Sequence, residues 1–189
     1  MAKIAQFLFK LVARVIDYCR GILLFISIIL CGGKCKGIPR VAKGVVFKYP
    51  PHSGITIGRG CDIGPFCIFD LPSGCITVIG NNVKFTAGVV ISSVNNLVIE
   101  DDCLFAEWVS IRDAQHEFSA DELIRKQGLS SSPIHVEQDV WVGRGSVVLS
   151  GAYLEKGCIV GANSLVKKGR LLTNTIYAGI PLKQIGSRD

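Results

Sequence analysis

Three histidines, His52, His116 and His135, are the side chains of this chain best suited to exchanging a proton near neutral pH, because an unperturbed imidazole titrates at about 6.5. His52 and His135 read as structural or incidental. His116 lies in a stretch, 113–133, that interrupts an otherwise regular apolar pattern, and it is the candidate general base. A positioned base typically contributes about 10²–10⁴-fold to a rate. Asp113, three residues earlier, has the carboxylate to orient the ring and favour one tautomer. Aspartate is equally a common turn residue, so both readings of Asp113 stay open. Glu117 reads as solvated. The three histidines lack the close paired spacing of a zinc centre, and Cys31 with Cys35 has no partnering ligands, so no metal is expected.

The elements that must position His116 follow a six-residue beat. Val136, Val142, Val148, Leu154, Val160 and Val166 recur at intervals of six, with the compact Val140, Ser146, Ala152, Cys158 and Ser164 four residues after the first five. Helices and alternating strands repeat every ~3.6 and ~2 residues, so neither explains it. A hexapeptide repeat does: three six-residue sides make a coil of about eighteen residues, and stacked coils share one apolar axis. Upstream the beat runs through Ile57, Ile63 and Phe69, then Ile79, Phe85 and Ile91, then Ile99, Phe105 and Ile111. Cys61, Cys67, Ser73, Val83, Val89, Cys103 and Val109 take the compact places. Extra residues enter around Leu71–Gly74 and Asn95–Asn96, and an excursion of about twenty residues, roughly Asp113 to Pro133, leaves the coil; long insertions of this kind are usually functional.

Of the 189 residues, the first 48 hold nine Lys/Arg against one acid, Asp17, whereas residues 49–189 hold twelve against fourteen. The basic character belongs to an N-terminal arm, which argues against nucleic acid as a partner, since such proteins spread charge over the folded domain. Within the arm Lys3, Gln6, Lys10, Arg14 and Asp17 fall on one helical stripe, and an apolar run follows from Ile22 to Leu30. That run is too short to span a bilayer, and the whole stretch carries charges that make spanning costly. Residues 3–31 read either as an interfacial anchor on an anionic inner leaflet or as a helix packed on the coils or on another subunit. Cysteines at the compact places behave as small hydrophobes; reduced thiols imply a cytoplasmic protein, peripheral on the inner face of the plasma membrane if the arm is an anchor. The expected layout is an arm at 1–48, the coil at 49–171 and a C-terminal tail at 172–189 packed on the coils.

The segment from Ser110 to Gly186 resembles the hexapeptide-repeat acyltransferases. The landmarks are Ser110-Ile111-Arg112-Asp113, His116, Pro133-Ile134, Asp139-Val140-Trp141-Val142-Gly143, Val160-Gly161-Ala162-Asn163-Ser164, Val166-Lys167-Lys168 and the terminal Asn174 to Ala178-Gly179-Ile180-Pro181. Within that family the chain is most similar to the galactoside, maltose and xenobiotic O-acetyltransferase branch, many of whose members decorate bacterial capsule and O-antigen sugars. The resemblance implies an all-β fold, a left-handed parallel β-helix, against the general right-handed rule for parallel crossovers. It implies trimers with active sites between neighbouring coils, and acetyl-coenzyme A as cosubstrate.

By the same resemblance His116 takes the proton of a sugar hydroxyl while Trp141 walls the acyl or acceptor pocket. Gly143, Gly161 and Ala162 let the pantetheine arm approach exposed backbone amides, and Arg144, Lys167, Lys168 and Lys183 meet the phosphates or adenine end. The chain departs from the family where an acceptor-side Asn is usual: Gly88 stands near that place, with Thr86 and Asn95 as substitutes. The acceptor is expected to be a sugar or lipid-linked glycan, with O-transfer; N-acetylation of an amino sugar and a non-catalytic scaffold are the alternatives.

Overall fold

Each large residue of the six-residue beat, from Ile57 to Val166, points into the molecule and is at most 2% exposed. Short strands therefore alternate with corners, and consecutive strands enter consecutive sheets. The computed structural model, which describes residues 2–188, is a three-sided parallel coil closed at its N-terminal end by one helix, α1 (Ala2–Leu30). The first sheet stacks Lys34–Cys35, Ile55–Ile57, Ile76–Ile79, Asn96–Ile99, Ile134–Val136, Ala152–Leu154 and Gly169–Leu171. The second runs from Arg40–Val41 to Thr175–Ala178, with Lys183–Ser187 folded back antiparallel at its edge. The third runs from Val46–Phe47 to Leu165–Val166.

Strand register gives the length of each coil. His135 lies opposite Tyr153, 18 residues on, whereas Thr56 lies opposite Val78, 22 on, and Val78 opposite Val98, 20 on. The insertions near 71–74 and 95–96 account for the differences. Val98 lies opposite His135, 37 on, which encloses the 113–133 excursion. Ser73 is exposed, and Leu71 and Cys75 fill the buried places at that insertion instead.

One sequence boundary moves. Residues 34–48, placed in the arm for their charge, are the first coil: Lys34 pairs with Thr56, Arg40 with Asp62 and Val46 with Ile68. The helix is continuous through Gly21, where a Cβ would collide with the Pro39 carbonyl, so glycine permits close docking of helix on coil. Ile28 is fully buried and caps the core. Asp17 accepts from Arg40 at 2.8 Å, and Arg40 also pairs with Asp62. Asp17 to Ile28 are thus packed on the first coil. Among the described residues no helix is long and apolar enough to cross a membrane.

Two of the three corners are built alike. Between the first and second sheets Gly60, Asn82, Asp102, Asp139, Gly157 and Asn174 all have φ between 53° and 72°. Between the second and third, Gly44, Phe66, Gly88, Trp108, Gly145 and Asn163 have φ between 52° and 74°. A left-handed residue closes each turn in the fewest atoms. Its amide then donates to the coil before it, as from Asp102 to Asn81 O and from Asn163 to Arg144 O. The corner from the third sheet back to the first varies from coil to coil, with left-handed glycines at some turns, Gly74, Gly151 and Gly169, and it takes every insertion.

Candidate active site

The longest insertion at the open corner is a hairpin. Ala114–His116 pairs antiparallel with Leu129–Ser131, setting His116 opposite Leu129. Its tip is closed by Gln127, whose side chain accepts from the Ser119 amide and donates to the Ser119 and Glu122 carbonyls. Its base is fixed by Asp113, only 1% exposed. One carboxylate oxygen of Asp113 accepts from Ser93 Oγ at 2.6 Å and the Asn95 amide at 2.9 Å; the other accepts from the Val94 amide at 2.9 Å. Three donors satisfy both oxygens, and no hydrogen bond joins Asp113 to His116. The carboxylate therefore holds the corner from which the hairpin grows; it does not orient the imidazole. Asn95 reaches the hairpin itself, donating to Ser131 Oγ at 3.1 Å, whereas Thr86 donates to the Phe105 carbonyl within the coil.

His116 is exposed and makes no hydrogen bond among the described residues. Its neighbour Gln115 lines a cleft of about 450 Å³ with Ser130, Ser131, Ser132, Ser150, Leu149, Lys167 and Lys168. Adjacent residues of a strand face opposite ways, so His116 looks out from the other side of the hairpin. A second cleft of about 540 Å³ shares Lys167 and Lys168 and continues along Arg170, Tyr177, Ile180, Pro181 and Leu182. Arg170 is occupied, bonded to Glu155 at 2.9 Å and lying 4.3 Å from the Tyr153 ring centroid. Lys167 and Lys168 are exposed and form no ion pair among the described residues, which leaves them available to an anion. Lys183, opposite Ala178 in the terminal hairpin, lines neither cleft.

The other expected cofactor residues stand elsewhere. Trp141, 48% exposed, lies in the second sheet between Leu104 and Ile159 beside Asp102, Asp139 and Arg188. Gly143, Arg144, Gly161 and Ala162 follow at the tight corner into the third sheet. Two of the three amides are engaged within the coil: Gly143 donates to the Val160 carbonyl and Gly161 to the Tyr177 carbonyl, both at 2.7 Å. Both glycines are needed for stacking, since a Cβ at Gly143 would lie 2.7 Å from the Ala162 nitrogen. Ala162 and Arg144 are exposed. The expected residues thus fall into two groups separated by the third sheet: Lys167 and Lys168 in the clefts with His116 on the other side of the hairpin, and Trp141, Arg144 and Ala162 at the opposite edge.

Several residues of the site gave no sequence signal. Gln115, Ser130 to Ser132 and Ser150 join the cleft through hairpin geometry alone. Trp108, 58% exposed with φ 62°, lies over Gly88, whose Cβ would meet its ring. A large aromatic is rare in the left-handed region, and this corner position, which Phe66 also fills while the other coils place Gly or Asn there, was the available clue. No group of three His, Cys, Asp or Glu side chains able to hold a metal occurs among the described residues.

Residues 133–168 match the family described as bacterial transferase hexapeptide (six repeats). A probable acetyltransferase of Mycobacterium tuberculosis is 29% identical over 82% of this chain, which spans about half, 51%, of that protein's length. The putative lipopolysaccharide biosynthesis O-acetyl transferase WbbJ of Escherichia coli K12 is 33% identical over 74% of this chain and 77% of its own. In fold, the chain is similar to AntD, an N-acyltransferase of Bacillus cereus solved with dTDP and coenzyme A, at a TM-score of 0.73 and 21% identity over 82% of this chain and 84% of that one. A parallel three-sided coil built on a six-residue beat, with this degree of likeness to WbbJ along most of both chains, belongs to the hexapeptide-repeat acetyltransferase family.

Proposed function

We propose that this protein transfers an acetyl group from acetyl-coenzyme A to a hydroxyl of a sugar, on a surface-glycan precursor, with His116 as general base. The coil is then wound left-handed, as the family reading implies. The observation that carries the reading is the splitting of the site. His116 faces outward with no side-chain partner among the described residues, and Trp141, Arg144 and Ala162 lie exposed on the far edge of the third sheet. A second copy placed side by side brings one half-site against the other, and a closed ring of three satisfies each copy equally.

Acetyl-coenzyme A fits what the chain offers. Lys167 and Lys168, unpaired at the junction of the two clefts, suit its phosphates, and Leu165, Tyr177 and Leu182 give an apolar wall. In the reaction the His116 imidazole takes the hydroxyl proton as the sugar oxygen attacks the thioester carbonyl. The tetrahedral intermediate collapses with cleavage of the carbon–sulfur bond, and the imidazolium returns the proton to the departing thiolate. Asp113 acts as a positioning residue through the corner it clamps.

The test is acetyl-coenzyme A consumption followed by thiol release over a panel of nucleotide and lipid-linked sugars. Acceptor-stimulated release should fall at least about a hundredfold in His116→Ala, with an unchanged melting temperature. Equal rates in the two proteins remove His116 from the mechanism. The N-acyltransferase activity named for AntD keeps amide formation as the second reading. Alkaline hydroxylamine discriminates the two, releasing an O-linked acetyl group and leaving an N-linked one.

A further inference from the structure

The helix α1 presents two faces that the coil treats differently. Lys3, Gln6, Lys10, Arg14 and Asp17 recur at intervals of three and four residues, and the same stripe continues into Gly21, Leu24 and Ile28. These last three meet the coil: Ile28 is fully buried, Gly21 abuts Pro39, and Leu24 packs on the core. The coil-facing stripe is therefore polar where the helix overhangs the coil and apolar where it docks. Asp17, held by Arg20 and Arg40 at 3.0 and 2.8 Å, marks the change and fixes the rotation of the helix about its axis.

The opposite face is apolar from end to end. Ile4, Leu8, Leu11, Val15, Ile22 and Ile26 follow the same helical spacing and are each between 42% and 65% exposed. No charged residue of the helix falls among them. Twenty-nine residues extend for roughly 44 Å, a continuous apolar surface far larger than isolated surface hydrophobes require. Helices with a wide apolar face and a basic polar face lie in the plane of a membrane interface.

We infer that α1 is a membrane-interfacial helix whose apolar face, centred on Leu8, Val15 and Ile26, enters the acyl boundary of an anionic leaflet while its polar stripe faces away from the acyl chains. Charge selects this occupant over a second copy of the chain. Residues 1–48 carry nine basic side chains and one acidic one, and Lys34 and Lys36 are exposed in the coil that α1 abuts. Two such surfaces meeting would set like charges together, whereas acidic headgroups neutralise them. Charges on the helix, and docking of half its length, exclude a spanning arrangement. The hairpin of His116 leaves the fourth coil, three ladder steps or about 15 Å from the first, so the reacting hydroxyl would sit a few sugar units from the lipid. The inference rests on the helix and does not require the transferase reading.

The experiment is vesicle flotation of the full chain with phosphatidylcholine alone and with phosphatidylcholine mixed with phosphatidylglycerol, alongside sedimentation analysis without lipid. The wild type should float with the anionic vesicles, less with neutral ones, and less again in high salt. The double variant Leu8→Glu, Val15→Glu should lose at least about tenfold in partitioning and keep its melting temperature, because neither side chain meets the coil. Lys34→Glu, Lys36→Glu should weaken flotation only with the anionic vesicles. Three results overturn the inference: wild type absent from both floating fractions, the apolar-face variant floating like wild type, or that variant dropping to a smaller assembly while wild type binds no vesicles. The last would assign the face to a second copy. None of these readouts uses acetyl transfer, so failure here leaves the proposed activity untouched.

Discussion

The corner between the second and third sheets and the corner between the third and the first solve the same problem, turning the chain by one side of a triangle, with opposite consequences. At the former, one left-handed residue per coil donates its amide to the coil before it, and the turn length never varies from Gly44 to Asn163. At the latter the turns differ in length, and one of them becomes the hairpin that carries His116. The former keeps one spacing along the whole coil, whereas the latter accepts added residues, the longest run of which carries His116. The tight corner supplies rigidity and the open one supplies variation, a division familiar from loops mounted on a fixed scaffold.

Changes in the core and at each of the two corners would break or sharpen that contrast, and the core gives the largest. Phe105→Ala, in the core that both corners share, removes a ring stacked 5.2 Å from that of Phe85. It should cost about 3–5 kcal/mol by denaturant unfolding, the largest loss of the set. At the open corner Asp113→Ala strands the Ser93 hydroxyl and two amides, at about 3 kcal/mol, and should depress catalysis by displacing the hairpin. Asp113→Asn should restore part of both. His116→Ala, on the same hairpin, should leave stability within about 0.5 kcal/mol, so the pair separates positioning from chemistry. At the tight corner Gly143→Ala should cost about 1–3 kcal/mol through overpacking against Ala162. Replacing the hairpin tip 119–126 by a short flexible turn should change stability by less than about 1 kcal/mol. A tip replacement that costs more than Gly143→Ala would refute the division.

What could be seen in the sequence follows from the same geometry. A six-residue beat is legible because one residue per side must enter the shared axis, and the lengths of the insertions could be counted as slips in that beat. The first coil carried the beat too, at Cys35, Val41 and Phe47, but five basic residues between Lys34 and Lys48 masked it. His116 stood out because it lies off the beat. The role of Asp113 did not, since a buried carboxylate serving the 93–95 turn and one serving a histidine have the same sequence spacing. Nor could a one-dimensional pattern show that Gln115 and His116 face opposite sides of a hairpin, or that Trp141 and His116 lie at opposite edges of a sheet. Those facts depend on which corner each coil is counted from.

The smallest expected effect concerns the tight corners directly, through the thiols that pack beneath them. Burial raises Cys61 and Cys67 to about 11 and Cys103 and Cys158 to about 12. Cys61 donates to the Gly80 carbonyl, Cys67 to that of Thr86 and Cys103 to that of Glu137. These three are thus donors between coils, and burial disfavours the thiolate form of all four. The unfolded chain releases these protons near the ordinary thiol value of 9.0, so between pH 9 and 11 the folded state binds more protons than the unfolded one. Stability then falls as pH rises, whereas below pH 9 the thiols are neutral in both states and contribute no slope. Melting temperature should be flat in this respect from pH 7 to 8.5 and decline above it. Cys158→Ala, which substitutes the small residue found at Ala152 of the same beat, should make the decline shallower. An unchanged slope in that variant would mean that the thiols beneath the tight corners are reached by solvent, and that the ladder opens more readily than its regular geometry implies.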